Sequence, residues 1–110
     1  MKSILDLKLG LKLAHQKPEL HREILHCLRG SLFNDIEQIE IALRNKNMIK
    51  AKAANHRLQS AVCYCGTPRL LDAIIALEEA LNKKTDPIFS LTTLKDEAML
   101  VIQAIEQIYN

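Results

Sequence analysis

The chain has no tryptophan, two tyrosines, two phenylalanines, three glycines and three prolines among its 110 residues. So few aromatics and turn formers argue against a β-sandwich, which draws on both. Cysteine is scarce as well. Three is an odd count, and Cys63 and Cys65 stand one residue apart rather than two, so neither a disulfide framework nor a CxxC zinc site is indicated. No apolar run approaches the roughly 20 residues that cross a bilayer, and no signal-peptide pattern opens the chain. The sequence therefore reads as soluble and cytoplasmic. Leu, Ile and Ala dominate what remains, and 48% of residues are hydrophobic, enough for a real core in one domain over 1–110.

Acid is absent from one long stretch. Between Glu40 and Asp72 lie Arg44, Lys46, Lys50, Lys52, Arg57 and Arg69, six of the fifteen bases and none of the thirteen acids. The formal net charge of +2 conceals this segregation. A phosphate-bearing or acidic partner would suit the block, and so would plain solvent.

Apolar spacing traces five helices. From Pro18 to about Lys46, Leu20, Ile24, Leu28, Leu32, Ile36, Ile39 and Leu43 recur at threes and fours, with proline at a first-turn position. Asn47 suits the cap of a second helix, from Met48 to about Cys65. Gly66 fits a C′ position, Thr67 a new N-cap and Pro68 the next first turn. Leu70, Ile74, Leu77 and Leu81 line that helix, which ends at Lys83-Lys84. The last begins near Ser90 or Thr93, with Leu94, Ala98, Val101, Ile105 and Ile108 on one face. The opening Leu5-x-Leu7-x-Leu9-x-Leu11-x-Leu13 alternates like a strand. No partner strand exists for it, so a short helix capped by Asp6 is the better reading. Short connections make neighbours antiparallel. The expected architecture is an all-α, up-down four-helix bundle with a short extra N-terminal helix.

His56 lies in the middle of the second of the bundle's helices. At about 100° per residue, Ala54, Leu58, Ala61 and Cys65 fall roughly 140° to 200° from it, with Ala51 and Val62 at about 220° to 240°. The imidazole should therefore face water. Lys52 and Ile49 share its face on the preceding turns, and Gln59, Ser60 and Cys63 on the following ones. A cation, an amide, a hydroxyl and small apolar groups would hold a phosphoryl group and still let a protein dock. His21 and His26 stand five apart, which does not suit paired metal ligands on one helix face. No metal site is expected.

At this point the sequence resembles a histidine phosphotransfer (HPt) domain. Such domains carry His-x-Leu-x-Gly-Ser on a bundle helix, and His56-Arg57-Leu58-Gln59-Ser60-Ala61 matches at the histidine and the leucine. Tyr64-Cys65-Gly66-Thr67-Pro68-Arg69-Leu70 is similar to the Tyr-x-Gly-x-Pro-Arg run in C-terminal HPt domains of BarA/GacS-type hybrid sensor kinases. Ile4-Leu5-Asp6 and Lys17-Pro18-Glu19-Leu20 look like the same subgroup, so the likeness runs from Ile4 to Leu81. Two positions depart from it. Ser60 replaces the usual small glycine and Gln59 a frequent lysine, which leaves basic help to Lys52 or Arg57. Members often orient the imidazole with a glutamine from the next helix, and Glu78 is the nearest candidate by spacing.

The resemblance implies a phosphorelay. His56 would accept a phosphoryl group from a receiver-domain aspartate and pass it to a response-regulator aspartate. Such a domain is a phosphocarrier rather than an enzyme, and a parent chain would be a hybrid histidine kinase of the inner membrane. Its partners are two receiver domains, with neither nucleic acid nor membrane contacted, and a monomer suffices. No cofactor is expected in this chain, because the family leaves Mg²⁺ to the receiver. Read from the residues alone, a helical interaction module or a nucleic-acid binder using the basic block stays open, though scarce aromatics weigh against the latter.

Overall fold

The structure, a computed structural model, describes residues 2–109; positions 1 and 110 of the expected domain lie outside it. Five helices follow one another, α1 (Leu7–Leu13), α2 (Pro18–Arg44), α3 (Met48–Val62), α4 (Pro68–Asn82) and α5 (Ile88–Tyr109). No strand occurs among the described residues. The leucine alternation thus resolves as helix, begun by the Asp6 carboxylate, which accepts the Leu9 N–H at 2.9 Å.

Packing closes a ring: α2 lies on α3, α3 on α4, α4 on α5 and α5 back on α2, while α1 leans on α2. This is the up-down bundle with its additional helix. At about 1.5 Å per residue the 27 residues of α2 span roughly 40 Å, which sets the 41 Å long axis of the molecule. Leu25, Leu32, Ile36, Leu58, Ile74 and Leu94 fill the core and are inaccessible to solvent or nearly so. Each such side chain contributes about 1.5–3 kcal/mol by leaving water, which is what makes helices of these lengths stable.

The α4 face is buried as expected, with Leu70, Ile74, Leu77 and Leu81 all within the core. The α2 face is not. Leu20 is exposed and Ile24 and Leu43 only half-buried, while His21, Leu25 and Ala42 take the inner positions. A run dominated by four-residue steps over-rotates by about 40° at each step. The buried series 21, 25, 28, 32, 36, 39, 42 averages 3.5 and stays facing the partner helices. The α5 helix begins earlier than Ser90, because the Asp86 carboxylate accepts the Ile88 N–H at 3.0 Å. At its other end Ile108 is exposed rather than in the stripe.

Helix ends show which turns are crowded. His15, Gln16, Lys46 and Lys84 all adopt positive φ in open turns, where a non-glycine residue is tolerated. The α3–α4 turn uses Gly66, at φ +75°, and there the space decides. A Cβ would lie 2.7 Å from the Cα of Gly10 and 2.8 Å from the Asp6 carbonyl oxygen. That oxygen belongs to the residue whose N–H donates to the Gly66 carbonyl at 2.8 Å, so α1 is tied to this turn. Thr67 precedes Pro68 as expected but caps nothing with its side chain; its hydroxyl oxygen is buried without a protein partner.

Candidate functional site

The α3 helix is capped by Asn47, whose side-chain oxygen accepts the Lys50 N–H at 3.1 Å. It buries Ala51, Ala54, Asn55, Leu58 and Val62. His56 is diametrically placed, with 70% of its side chain exposed. The expected orientation is the observed one. The buried stripe is nonetheless rotated from the expected one: Ala61 is exposed, and Asn55 is fully buried against α4.

Among the residues singled out beside His56, the structure brings one carboxylate to it. Oε1 of Glu78, on α4, lies 3.8 Å from Nδ1 of His56. This exceeds a hydrogen bond, so the carboxylate faces that edge of the ring without direct contact. Ser60 and Cys63 are exposed on the same face, each already committed to the helix backbone. The Ser60 hydroxyl donates to the His56 carbonyl at 3.2 Å and the Cys63 thiol to the Ser60 carbonyl at 3.1 Å. Where a glycine would leave the space open, the serine is thus folded back on its own helix. Ile49 stands 84% exposed one end of the face away, an apolar group with nothing over it.

Lys52 is half-buried on its expected turn, while two other expected neighbours lie differently. Gln59 turns inward, its Oε1 buried without a protein donor. Arg57 is exposed but lines shallow hollows beside Asp35 and Gln38 of α2, on the far side from Glu78. The rest of the basic block is likewise divided. Arg69 is paired with Glu97 at 2.7 Å and Lys50 lines the same α2-side hollow as Arg57, leaving Lys52 as the block's cation on the turn before His56.

Sequence reasoning missed two polar residues. Asn55, fully buried, donates from Nδ2 to the Ile74 carbonyl of α4 at 3.0 Å. Its phase, between Val62 and Gln59 on the helix, was the available signal. His21 is buried where α1 meets the α3–α4 turn, its Nε2 3.3 Å from the Cys65 carbonyl. A Cβ on Gly10 would overlap its ring, so Gly10 and His21 fit as a pair. Here burial, then the proximity of Cys63 and Cys27, pushes the Cys65 thiol up to about 12. All three cysteines are free, with Cys27 and Cys63 exposed. Among the described residues no three His, Cys, Asp or Glu gather to hold a metal, and no helix is long and apolar enough to cross a membrane.

No family model matches the chain. It is 32% identical over 101 residues, 92% of its length, to the sensor protein GacS of Pseudomonas syringae pv. syringae. It is also 32% identical over 96 residues to the sensor histidine kinase GacS of Pseudomonas protegens. The chain spans about a tenth of these relatives, 11% and 10% respectively. Among solved structures, the HPT domain from a sensor hybrid histidine kinase of Shewanella superposes with a TM-score of 0.82 at 30% identity. That match covers 96% of this chain and 92% of the other. A ring of four helices with an accessible histidine on the second of them, α3, matched along nearly all of both chains, means that this chain belongs to the histidine phosphotransfer (HPt) domain family.

Proposed function

We propose that residues 1–110 form one HPt module in which His56 carries a phosphoryl group between two receiver domains. The observation that carries this reading is an imidazole 70% exposed with a carboxylate 3.8 Å from Nδ1. In the neutral tautomer with its proton on Nδ1, the nitrogen facing Glu78, the Nε2 lone pair is free to react. Nε2 attacks the phosphorus of a receiver's aspartyl phosphate. The N–P bond forms as the P–O bond to the aspartate breaks, and the carboxylate departs with the electron pair. Glu78 offsets the positive charge that then develops on the ring. The reverse step delivers the group to an aspartate of a response regulator.

Phosphoryl transfer asks mainly for positioning and charge neutralisation. In this reading the receiver's own acidic pocket holds Mg²⁺, and this chain supplies the nucleophile, Lys52 and a close-fitting surface. Ile49 and Cys63 border the contact, with Ser60 and Gln59 setting how closely it can approach. Arg57 lies too far round the helix for the phosphoryl group and serves docking onto an acidic receiver. The module acts as a phosphocarrier in the cytoplasm, as a monomer, free-standing or within a hybrid kinase.

The test is transfer from a phosphorylated receiver domain. The parent should take up an acid-labile, base-stable label. Equal uptake by His56→Gln would contradict the assignment.

A further inference from the structure

Asn55 is adjacent to the nucleophile in sequence and, about 100° round the helix from it, points inward into the seam between α3 and α4. Its amide nitrogen donates to the Ile74 carbonyl at 3.0 Å. In a regular α-helix that carbonyl also accepts the backbone N–H of the residue four positions on, which here is Glu78. The side chain next to His56 and the backbone of the residue facing His56 therefore converge on one oxygen atom. We propose that Asn55 is a positioning residue for His56, fixing the register of α4 against α3 so that the Glu78 carboxylate stays beside Nδ1. This rests on the reading of His56 as the phosphoryl carrier.

The alternative is an ordinary buried amide. Two features argue for more. The other buried contacts beside Asn55 are aliphatic, with Leu58, Ile74 and Leu77 in the core, and apolar contact is non-directional. It holds two helices together without fixing how far one slides along the other. A hydrogen bond to a chosen carbonyl does fix it. Second, the Asn55 side-chain oxygen is buried with no donor in the protein. A leucine would avoid that unmet acceptor, so the amide is held at some expense in stability, as in positions where a polar group specifies register. The separation of 3.8 Å between Nδ1 and Oε1 is sensitive to such sliding. Moving α4 by a fraction of a helical turn would take the carboxylate out of range.

The experiment reads the tautomer of the neutral His56 ring by nitrogen–proton NMR, together with the rate of phosphoryl uptake from a receiver. Asn55→Leu should shift the ring from the Nδ1–H form toward the Nε2–H form, in the same direction as Glu78→Ala. It should slow uptake about tenfold, within the roughly 100-fold that a misplacement near 1 Å can cost. In a Glu78→Ala background Asn55→Leu should change neither quantity further. An unchanged tautomer ratio in Asn55→Leu would overturn the proposal, and so would an equal shift in the Glu78→Ala background. Should Asn55→Leu fail to fold, the unsubstituted protein decides: the Asn55 amide protons should exchange slowly and couple across the bond to the Ile74 carbonyl. Fast exchange without coupling would refute it. A parent that accepts no phosphoryl group overturns the relay reading, whereas the tautomer measurement needs no phosphodonor and judges Asn55 by itself.

Discussion

His56 and His21 are the same residue type in opposite surroundings. One stands 70% exposed on α3 with a carboxylate beside Nδ1. The other is 3% exposed under α1, its Nε2 facing the Cys65 carbonyl and the same edge of its ring against Gly10. The first is available to a reacting partner and carries little packing; the second packs three segments together and offers no nitrogen to an incoming phosphate. What separates the proposed phosphoryl carrier from the structural histidine here is accessibility and the chemistry of its neighbour, carboxylate or backbone carbonyl.

The largest effect should come from exchanging the two roles by mutation. His56→Gln should abolish phosphoryl uptake while leaving stability within about 0.5 kcal/mol, as for exposed substitutions generally, read by labelling and chemical denaturation. The His21 region should respond to alkali instead. The Cys65 thiol is raised from 9.0 to about 12, so the folded protein holds this proton more tightly than the unfolded chain does. That stabilisation is complete below pH 9 and is lost as pH climbs toward 12. At about 1.4 kcal/mol per pH unit the loss reaches roughly 4 kcal/mol. Cys65→Ala should flatten the decline, measured as denaturation midpoints against pH.

Next in size, His21→Ala should cost roughly 2–4 kcal/mol by leaving a cavity beneath α1, with phosphoryl uptake intact in the folded fraction. Gly10→Ala should cost about 1–3 kcal/mol by overpacking the same ring, and amide exchange should rise in α1 before the rest of the bundle. The smallest effect is a difference in rate. Cys63, exposed on the His56 face, should alkylate well before Cys65, whose buried thiol stays protonated. Mass spectrometry of partially labelled protein resolves the order.

How far the residues alone disclosed this arrangement depends on the helix. In α4 every expected core position is buried, because the spacing of Leu70, Ile74, Leu77 and Leu81 matches a short helix. Over the 27 residues of α2 the same reasoning drifts, and only tertiary contact shows that His21 and Leu25 lie inside while Leu20 does not. The outward aim of His56 was legible from phase. The inward turn of Gln59 was not, and the phase of Asn55 beside Val62 marked it only as a borderline position, since a helix wheel lacks the direction from which α4 approaches. Glu78 was reachable only because spacing and a family habit pointed to the same turn. Arg57 and Lys52 looked equivalent as charges, and the fold separates them, one toward α2 and one toward the candidate site.

The most direct test maps the phosphoryl group itself. After incubation with a phosphorylated receiver, peptide sequencing by mass spectrometry under alkaline conditions distinguishes His15, His21, His26 and His56. The account predicts phosphohistidine on the peptide carrying His56. Phosphohistidine on any of the other three, with His56 unmodified, would contradict it.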